Sequence, residues 1–313
     1  MYFKHLIGAI GGLLLCLPLI GQEIESMEAI PYPYPVEKVA LNDSLEIAYA
    51  DEGQGDQTLL FIHGLGSYLK AWQRNIDSLR SNYRCIAIDL PGYGKSSKAQ
   101  YDFSMDFFAE AIAGLVHELE PQNLTLVGHS MGGQIALTYA LKYPESLEQL
   151  ILFAPAGLET FTPQQQQWLE SVYTPAFVKN TPDTQIVKNF ELNFFDMPDN
   201  ARFMIEDRLA MRSTKEYDYY CAMIPRCMQA MLRGPVYQEL PEIKTPTLLL
   251  FGEEDDLIPN KYLHPELTTE KVAQIGMDQL PNCQMQWLPK AGHFAQWEAA
   301  ALANQAIRNF LDQ

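Results

Sequence analysis

Basic residues are scarce in this chain of 313 residues: 22 lysines and arginines stand against 39 acids, for a formal net charge of −17. Nucleic acid and anionic membrane surfaces call for a basic face that neutralises phosphate, so the composition argues against both as partners. Long runs of like charge are missing too, and the nearest, Glu253-Glu254-Asp255-Asp256, falls short of a charged tail. Cysteine is sparse. Cys16, Cys85, Cys221, Cys227 and Cys283 make no close pair matched by a second pair or by histidines, which excludes the usual zinc patterns. Cys85 sits in an apolar run and reads as a buried thiol. Cys221 and Cys227 could bridge in an oxidising compartment, but six apart in a helix-like stretch they fit free thiols better. There is no internal repeat, and Leu6 to Ile20, an uncharged apolar stretch of 15 residues, is short for a membrane span.

That stretch is preceded by Lys4-His5 and followed by Gly21-Gln22-Glu23, the layout of a secretory signal peptide. Residues 1–21 are therefore expected to direct export to a periplasmic or extracellular location. Membrane association is expected only if the segment is retained or lipidated. Residues 22–35, with Pro31-Tyr32-Pro33-Tyr34-Pro35, read as an extended linker, since alternating proline forbids helix and central strand.

Two short strand-like runs follow, Val36 to Leu41 and Leu45 to Ala50, the second alternating apolar and polar residues. Six near-continuous apolar runs come next: Thr58 to Ile62, Cys85 to Ile88, Leu124 to Val127, Leu150 to Phe153, Thr247 to Phe251 and Gln284 to Leu288. Sheet centres covered on both faces read this way. Helical stretches fall between them, one capped by Ser104 over Met105 to Leu119 and one over Met131 to Leu141. Alternation of strand and helix predicts an α/β fold with a mostly parallel eight-stranded sheet flanked by helices. Roughly ninety residues separate Phe153 from Thr247, too many for a bare connection, and helix starts such as Thr162-Pro163 and Thr181-Pro182 mark a helical insertion there. The boundaries expected are 36–156 and 242–313 for the core and 157–241 for the insertion. Its aromatics, Trp168, Tyr173, Phe177, Phe190, Phe194, Phe195, Phe203, Tyr217, Tyr219 and Tyr220, with Met204, line a pocket or form the insertion's own core. Gln164 to Gln167 read as a solvated helix face.

Gly128, Ser130 and Gly132 match G-x-S-x-G between a strand and a helix, in Leu126-Val127-Gly128-His129-Ser130-Met131-Gly132-Gly133. Side chains at Gly128 and Gly132 would collide with the neighbouring strand and helix in so sharp a turn, which lifts the serine hydroxyl clear. A serine attacks only with a base beside it. His293, in the loop after the last strand, opens on the same sheet edge; His264 is the competitor, while His63 reads as a brace and His129 as locked beside the serine. The base needs a carboxylate, and Asp255, three residues past Gly252, is preferred to its neighbour Asp256. Oxyanion donors are expected from the Leu65 and Met131 amides, the first on the loop His63-Gly64-Leu65-Gly66.

With these landmarks the chain resembles the α/β-hydrolase superfamily, in its branch of capped serine hydrolases that includes esterases, lipases and meta-cleavage-product hydrolases. The likeness rests on His63 to Gly66, on Asp89-Leu90-Pro91-Gly92-Tyr93-Gly94-Lys95-Ser96, on the Ser130 turn, on Gly252 to Pro259, and on Ala291-Gly292-His293-Phe294. The resemblance implies Ser130 as nucleophile, Asp255 as acid, His293 as base, a helical cap after the sixth strand, and no metal or cofactor. The Asp89 to Ser96 loop is a structural element of that pattern, and Asn260 to Glu270 is longer than usual for the branch. The leading expectation is hydrolysis of a small ester or lipid-like substrate through an acyl-enzyme. The alternatives are C–C bond or aminopeptidase-type hydrolysis on the same triad, and a non-catalytic ligand-binding homologue.

Overall fold

The two strand-like runs and the six apolar runs each form a strand: β1 (Glu37–Asn42), β2 (Leu45–Glu52), β3 (Thr58–Ile62), β4 (Arg84–Ile88), β5 (Leu124–His129), β6 (Gln149–Phe153), β7 (Thr247–Gly252) and β8 (Cys283–Leu288). The computed structural model describes residues 24–234 and 236–313, and the expected export segment, residues 1–21, lies outside them. One sheet runs in the order β1-β2-β4-β3-β5-β6-β7-β8. β1 and β2 pair antiparallel, as do β2 and β4, and every pairing from β4 onward is parallel.

Alternate residues of each central strand enter opposite cores. Leu60, Ile62, Leu126, Leu150, Leu152 and Leu249 face one side, whereas Leu59, Phe61, Val127, Ile151, Phe153 and Leu250 face the other. The period of two explains why β3, β5 and β7 are buried at every position. The helices in chain order are α1 (Gln73–Leu79), α2 (Met105–Leu119), α3 (Met131–Lys142), α4 (Pro163–Val172), α5 (Pro175–Asn180), α6 (Asp183–Glu191), α7 (Phe203–Ala210), α8 (Tyr217–Arg233), α9 (Thr269–Gln279), α10 (Ala295–Glu298) and α11 (Ala300–Leu311). Apolar residues of α2, α3 and α9 join the first core, and those of α1 and α11 the second. Ser104 caps α2 by accepting from the Phe107 amide at 3.1 Å. Thr162 and Gln165 close a reciprocal capping box on α4, with Pro163 in its first turn.

Helices α4 to α8 all lie between β6 and β7, where the sequence predicts the insertion. α8 packs on α4 and α5 and carries Cys221 and Cys227, both buried free thiols. Ile24, the first described residue, donates its amide to Ser213 Oγ at 3.1 Å, and the Lys215 amide donates to Glu25 O at 3.1 Å. The chain thus enters the fold beside the turn between α7 and α8.

The tyrosine-proline segment is extended, but it is docked rather than free. Tyr34 donates to Asp77 Oδ1 at 2.9 Å and Gln73 O at 3.1 Å, and Tyr32 donates to Asp89 Oδ2 at 2.7 Å. Asp89, fully buried at the end of β4, also accepts from the Lys95 amide at 2.7 Å and the Leu69 amide at 2.9 Å. Ser96 donates to the Asp89 carbonyl at 2.5 Å and accepts from the Ala48 amide at 2.8 Å. One buried carboxylate therefore ties together the N-terminal segment, the loop before α1 and the Asp89 to Ser96 loop. Replacing it strands three donors. Asp89→Ala is expected to destabilise the fold by roughly 3 kcal/mol in urea unfolding and Tyr32→Phe by about 1 kcal/mol; an unchanged midpoint in Asp89→Ala would contradict this role.

Candidate active site

At the end of β5 the chain turns through Ser130, whose φ of 53° and ψ of −117° lie where residues other than glycine are strained. Four backbone hydrogen bonds hold it there. Its amide donates to Phe153 O at 3.0 Å, and its carbonyl accepts from the amides of Gly133 at 2.9 Å, Gln134 at 3.2 Å and Ala156 at 3.0 Å. The flanking glycines answer to close approach: a Cβ at Gly128 would lie 2.5 Å from Gly132 O, and one at Gly132 only 2.2 Å from Ile62 O. Strand β3, strand β5 and helix α3 thus meet with no room for a methyl group, and Ser130 is left half-buried at the sheet edge.

His293 lies between β8 and α10 and approaches Asp255 from the loop after β7. Its Nδ1 is 2.8 Å from Asp255 Oδ2. The other carboxylate oxygen accepts from the amides of Leu257 at 2.8 Å and Ile258 at 3.0 Å, so the buried carboxylate is satisfied on both sides. That geometry places the proton on Nδ1 and leaves the Nε2 lone pair of His293 available. The neighbouring acid Asp256 pairs instead with Lys261 at the surface. His264 is engaged by Glu159 and Gln165 and does not line the cavity that contains Ser130 and His293.

His63 braces the loop after β3, as its sequence setting suggests. The Leu90 amide donates to His63 Nε2 at 3.0 Å, which puts the ring proton on Nδ1, and Nδ1 donates to Gly64 O at 2.8 Å. The Ser67 amide donates to the same carbonyl at 3.2 Å. Across a trans peptide the N–H points away from the carbonyl, so these bonds turn the Leu65 N–H away from His63. Gly64 abuts the serine: a Cβ built on it would lie 3.1 Å from Ser130 Cβ. Among the described residues neither the Leu65 nor the Met131 N–H has an acceptor.

Two further residues belong to this arrangement although nothing local in the sequence marks them. His129, set aside as locked beside the serine, reaches His293: its Nε2 donates to His293 O at 2.9 Å, and the two rings are 4.7 Å apart. Burial, and then the nearby His293, push its pKa well below the usual range, so it is a neutral donor. Glu298 accepts from the amides of Gly292 at 2.8 Å, Phe195 at 3.0 Å and Asp196 at 2.7 Å. The Phe294 amide donates to Asn193 O at 3.0 Å, and Phe194 stacks on Phe294 at 5.4 Å. The His293 loop is therefore tied directly to the segment between α6 and α7. Their partners lie 164 and roughly a hundred residues away in the chain, which is why sequence reasoning missed them.

Ser130, His293 and Leu65 line one cavity of about 480 Å³. Its apolar wall comes from Phe161, Leu169, Met228, Met231, Leu232 and Leu257, and none of the insertion aromatics singled out in the sequence lines it. Tyr173, Phe177, Phe190 and Tyr220 instead line a smaller adjoining pocket of about 200 Å³ that shares Leu65, Asn193 and Phe294. Of the four glutamines on α4, Gln165 and Gln166 are structural rather than solvated: Gln166 Nε2 donates to the carbonyls of Phe161 and Leu232, both at 3.1 Å. A hydroxyl on a strained turn and an imidazole with a free lone pair oriented by a carboxylate thus border one largely apolar space, beside Leu65, whose amide is unengaged among the described residues.

The profile of the alpha/beta hydrolase fold matches residues 57–300. The chain belongs to that family. This α/β-hydrolase is 30% identical over 281 residues to a 2-hydroxy-6-oxononadienedioate/2-hydroxy-6-oxononatrienedioate hydrolase of Escherichia coli K12, covering 86% of this chain and 91% of that one. Among solved structures it is similar to a probable hydrolytic enzyme from Pseudomonas aeruginosa PAO1, with 27% identity, a TM-score of 0.82, and coverage of 93% of this chain and 99% of that one. It is also similar to a membrane phospholipase A described as a bacterial virulence factor, with 28% identity, a TM-score of 0.72, and coverage of 89% and 86%.

Two of the buried histidines, His63 and His129, give this α/β-hydrolase a pH signature. Burial lowers the pKa of His63 and, more strongly, of His129 in the folded state. Above the unfolded value of about 6.5 both states are neutral; below it the unfolded chain takes up protons that the native state refuses. Stability is then lost by up to about 1.4 kcal/mol per pH unit for each histidine until its lowered native pKa is reached. His129→Gln is expected to flatten this loss, so that its deficit in urea unfolding shrinks between pH 7.5 and 5.5. A deficit independent of pH would contradict the buried neutral state.

Proposed function

We propose that this α/β-hydrolase cleaves carboxylic esters of a small to medium apolar substrate through Ser130. His293 Nε2 takes the hydroxyl proton as Ser130 Oγ attacks the ester carbonyl, and Asp255 holds the imidazole and balances its charge. The Leu65 and Met131 amides donate to the oxyanion, each worth on the order of 3 kcal/mol of barrier in comparable sites. The tetrahedral adduct expels the alcohol, which takes the proton from His293. Water, deprotonated by the same imidazole, then attacks the acyl-enzyme and releases the acid, restoring the serine.

The observation that favours an apolar ester is the character of the Ser130 cavity. Among the described residues its lining includes no lysine or arginine, and its one carboxylate is Glu159. The curated relative acts on a compound whose name denotes a dicarboxylate. A dianion would leave water for a cavity without a cation, on a protein of net charge −17, and desolvated charge without a partner is costly.

A second reading, C–C bond hydrolysis of the meta-cleavage-product type, has one specific observation in its favour besides that relative. Arg208 lines the adjoining pocket and lies 4.3 Å over the Tyr220 ring. Its hydrogen bond is to Met211 Sδ, at 3.9 Å, and among the described residues it has no carboxylate partner. A substrate long enough to pass Leu65 and Phe294 could place a carboxylate there.

Kinetics on a panel decides between them. Uncharged p-nitrophenyl esters of increasing acyl length are expected to be hydrolysed faster than carboxylate-bearing esters, and Ser130→Ala is expected to lower kcat by about 10⁴-fold or more. Faster turnover of a vinylogous diketone bearing carboxylates, lost in Arg208→Gln, would replace the ester reading with the second. Equal, negligible rates for wild type and Ser130→Ala on the whole panel would remove both.

A further inference from the structure

We infer that the outward face of the helical insertion, centred on Trp168, docks on the surface of a neutral phospholipid bilayer. Large apolar side chains are exposed in a pattern that packing does not explain. Trp168 at 51%, Phe177 at 52%, Leu192 at 53% and Phe195 at 51% stand out from α4, α5 and the segment after α6, together with Val172. Trp168 and Val172 are one turn apart on α4 and share a face, while Leu169 on the same helix lines the Ser130 cavity. Across the cavity, Leu257 is both exposed and part of its lining. Phe177 likewise belongs to the adjoining pocket. Exposed apolar side chains therefore contribute to the lining of both spaces, Leu257 to one and Phe177 to the other. Isolated exposed leucines are ordinary, but this many large apolar side chains left exposed on one insertion mark an interaction surface.

Two observations select lipid as the occupant. The uncharged apolar stretch Leu6 to Ile20 joins the described chain at Ile24, and Ile24 is held by Ser213 in the same insertion. A bilayer holding that stretch would therefore have the insertion, where Ile24 is fastened, as the nearest part of the described chain. The exposed residues also include one tryptophan among aromatic and aliphatic partners, the composition that settles at the boundary between headgroups and acyl chains. The net charge of −17 sets the lipid type, since an anionic surface would repel the protein. The inference concerns binding and does not depend on what Ser130 does.

Tryptophan fluorescence of the full chain tests it with phosphatidylcholine vesicles brominated in the acyl chains. Of the four tryptophans, Trp72 and Trp297 are buried and Trp287 half-buried, so Trp168 alone is placed to meet lipid. The full chain is expected to float with the vesicles and to lose emission to the bromines, and Trp168→Phe is expected to float but show no quenching. Phe177→Ser/Leu192→Ser is expected to weaken vesicle binding about tenfold or more, whereas Leu302→Ser, on α11, is expected to leave it unchanged. Flotation without quenching in the wild type would overturn the inference, because another part of the chain would then be the attachment. Absence of flotation would overturn it, as would stronger binding to anionic vesicles. So would Trp168 emission already shielded without lipid, which would place a second copy or residues 1–23 on this face.

Discussion

Three backbones converge at Ser130, and the space between them sets the terms for the rest of the molecule. The carbonyls of β3, the last residues of β5 and the first turn of α3 approach so closely that neither Gly128 nor Gly132 can carry a Cβ. The turn must then pass through a positive φ at residue 130, a conformation that persists only where its surroundings over-determine it. Four hydrogen bonds and two buried cores do so. The strain is therefore stored locally and supported globally, which is what keeps the hydroxyl at the sheet edge instead of folded back as a helix cap.

The other groups arrive at that edge because parallel strands end together. Loops leaving β3, β5, β7 and β8 all emerge there, bringing Leu65, Ser130, Asp255 and His293 from four separate stretches of chain. Each is then oriented by a second set of bonds: His63 turns the Gly64 carbonyl, two loop amides hold Asp255, His129 holds the His293 carbonyl, and Glu298 holds the Gly292 amide. Glu298 also accepts from Phe195 and Asp196. Movement of the insertion near those residues would be felt at His293, so the wall of the cavity and its imidazole are mechanically linked.

Much of this was legible in the sequence for a definite reason. Apolar runs bounded by turn residues report strands that are covered in the sheet, and six of the eight strands were found that way, the first two by short strand-like runs, with ends shifted by a residue or two. The positive-φ turn at Ser130 and the Asp255–His293 pair were readable because each occupies a fixed place at a strand end. Contacts between distant segments left no local mark. Glu298, the reach of His129 to His293, the Glu159–His264 pair and the docking of Tyr32 on Asp89 depend on which loops become neighbours, and composition does not encode that. The aromatics of the insertion stayed open between a pocket and the insertion's own core, because content does not say which turn inward: Phe194, Tyr217 and Tyr220 are buried, and Tyr173, Phe177, Phe190 and Tyr220 line the adjoining pocket. The cavity wall is instead built largely from Met228, Met231, Leu232, Leu169 and Phe161.

Among the described residues the cavity is largely apolar and lined by no lysine or arginine, whereas the adjoining pocket is lined by Arg208 and no carboxylate. These features bear on substrate choice; the central claim concerns the serine itself. The most direct measurement is tandem mass spectrometry of the full chain after reaction with a fluorophosphonate, mapping the adduct to a residue. The account requires a single phosphonyl adduct on Ser130, lost in His293→Ala. An adduct on another residue, or none at all under conditions where the protein is folded, would contradict it.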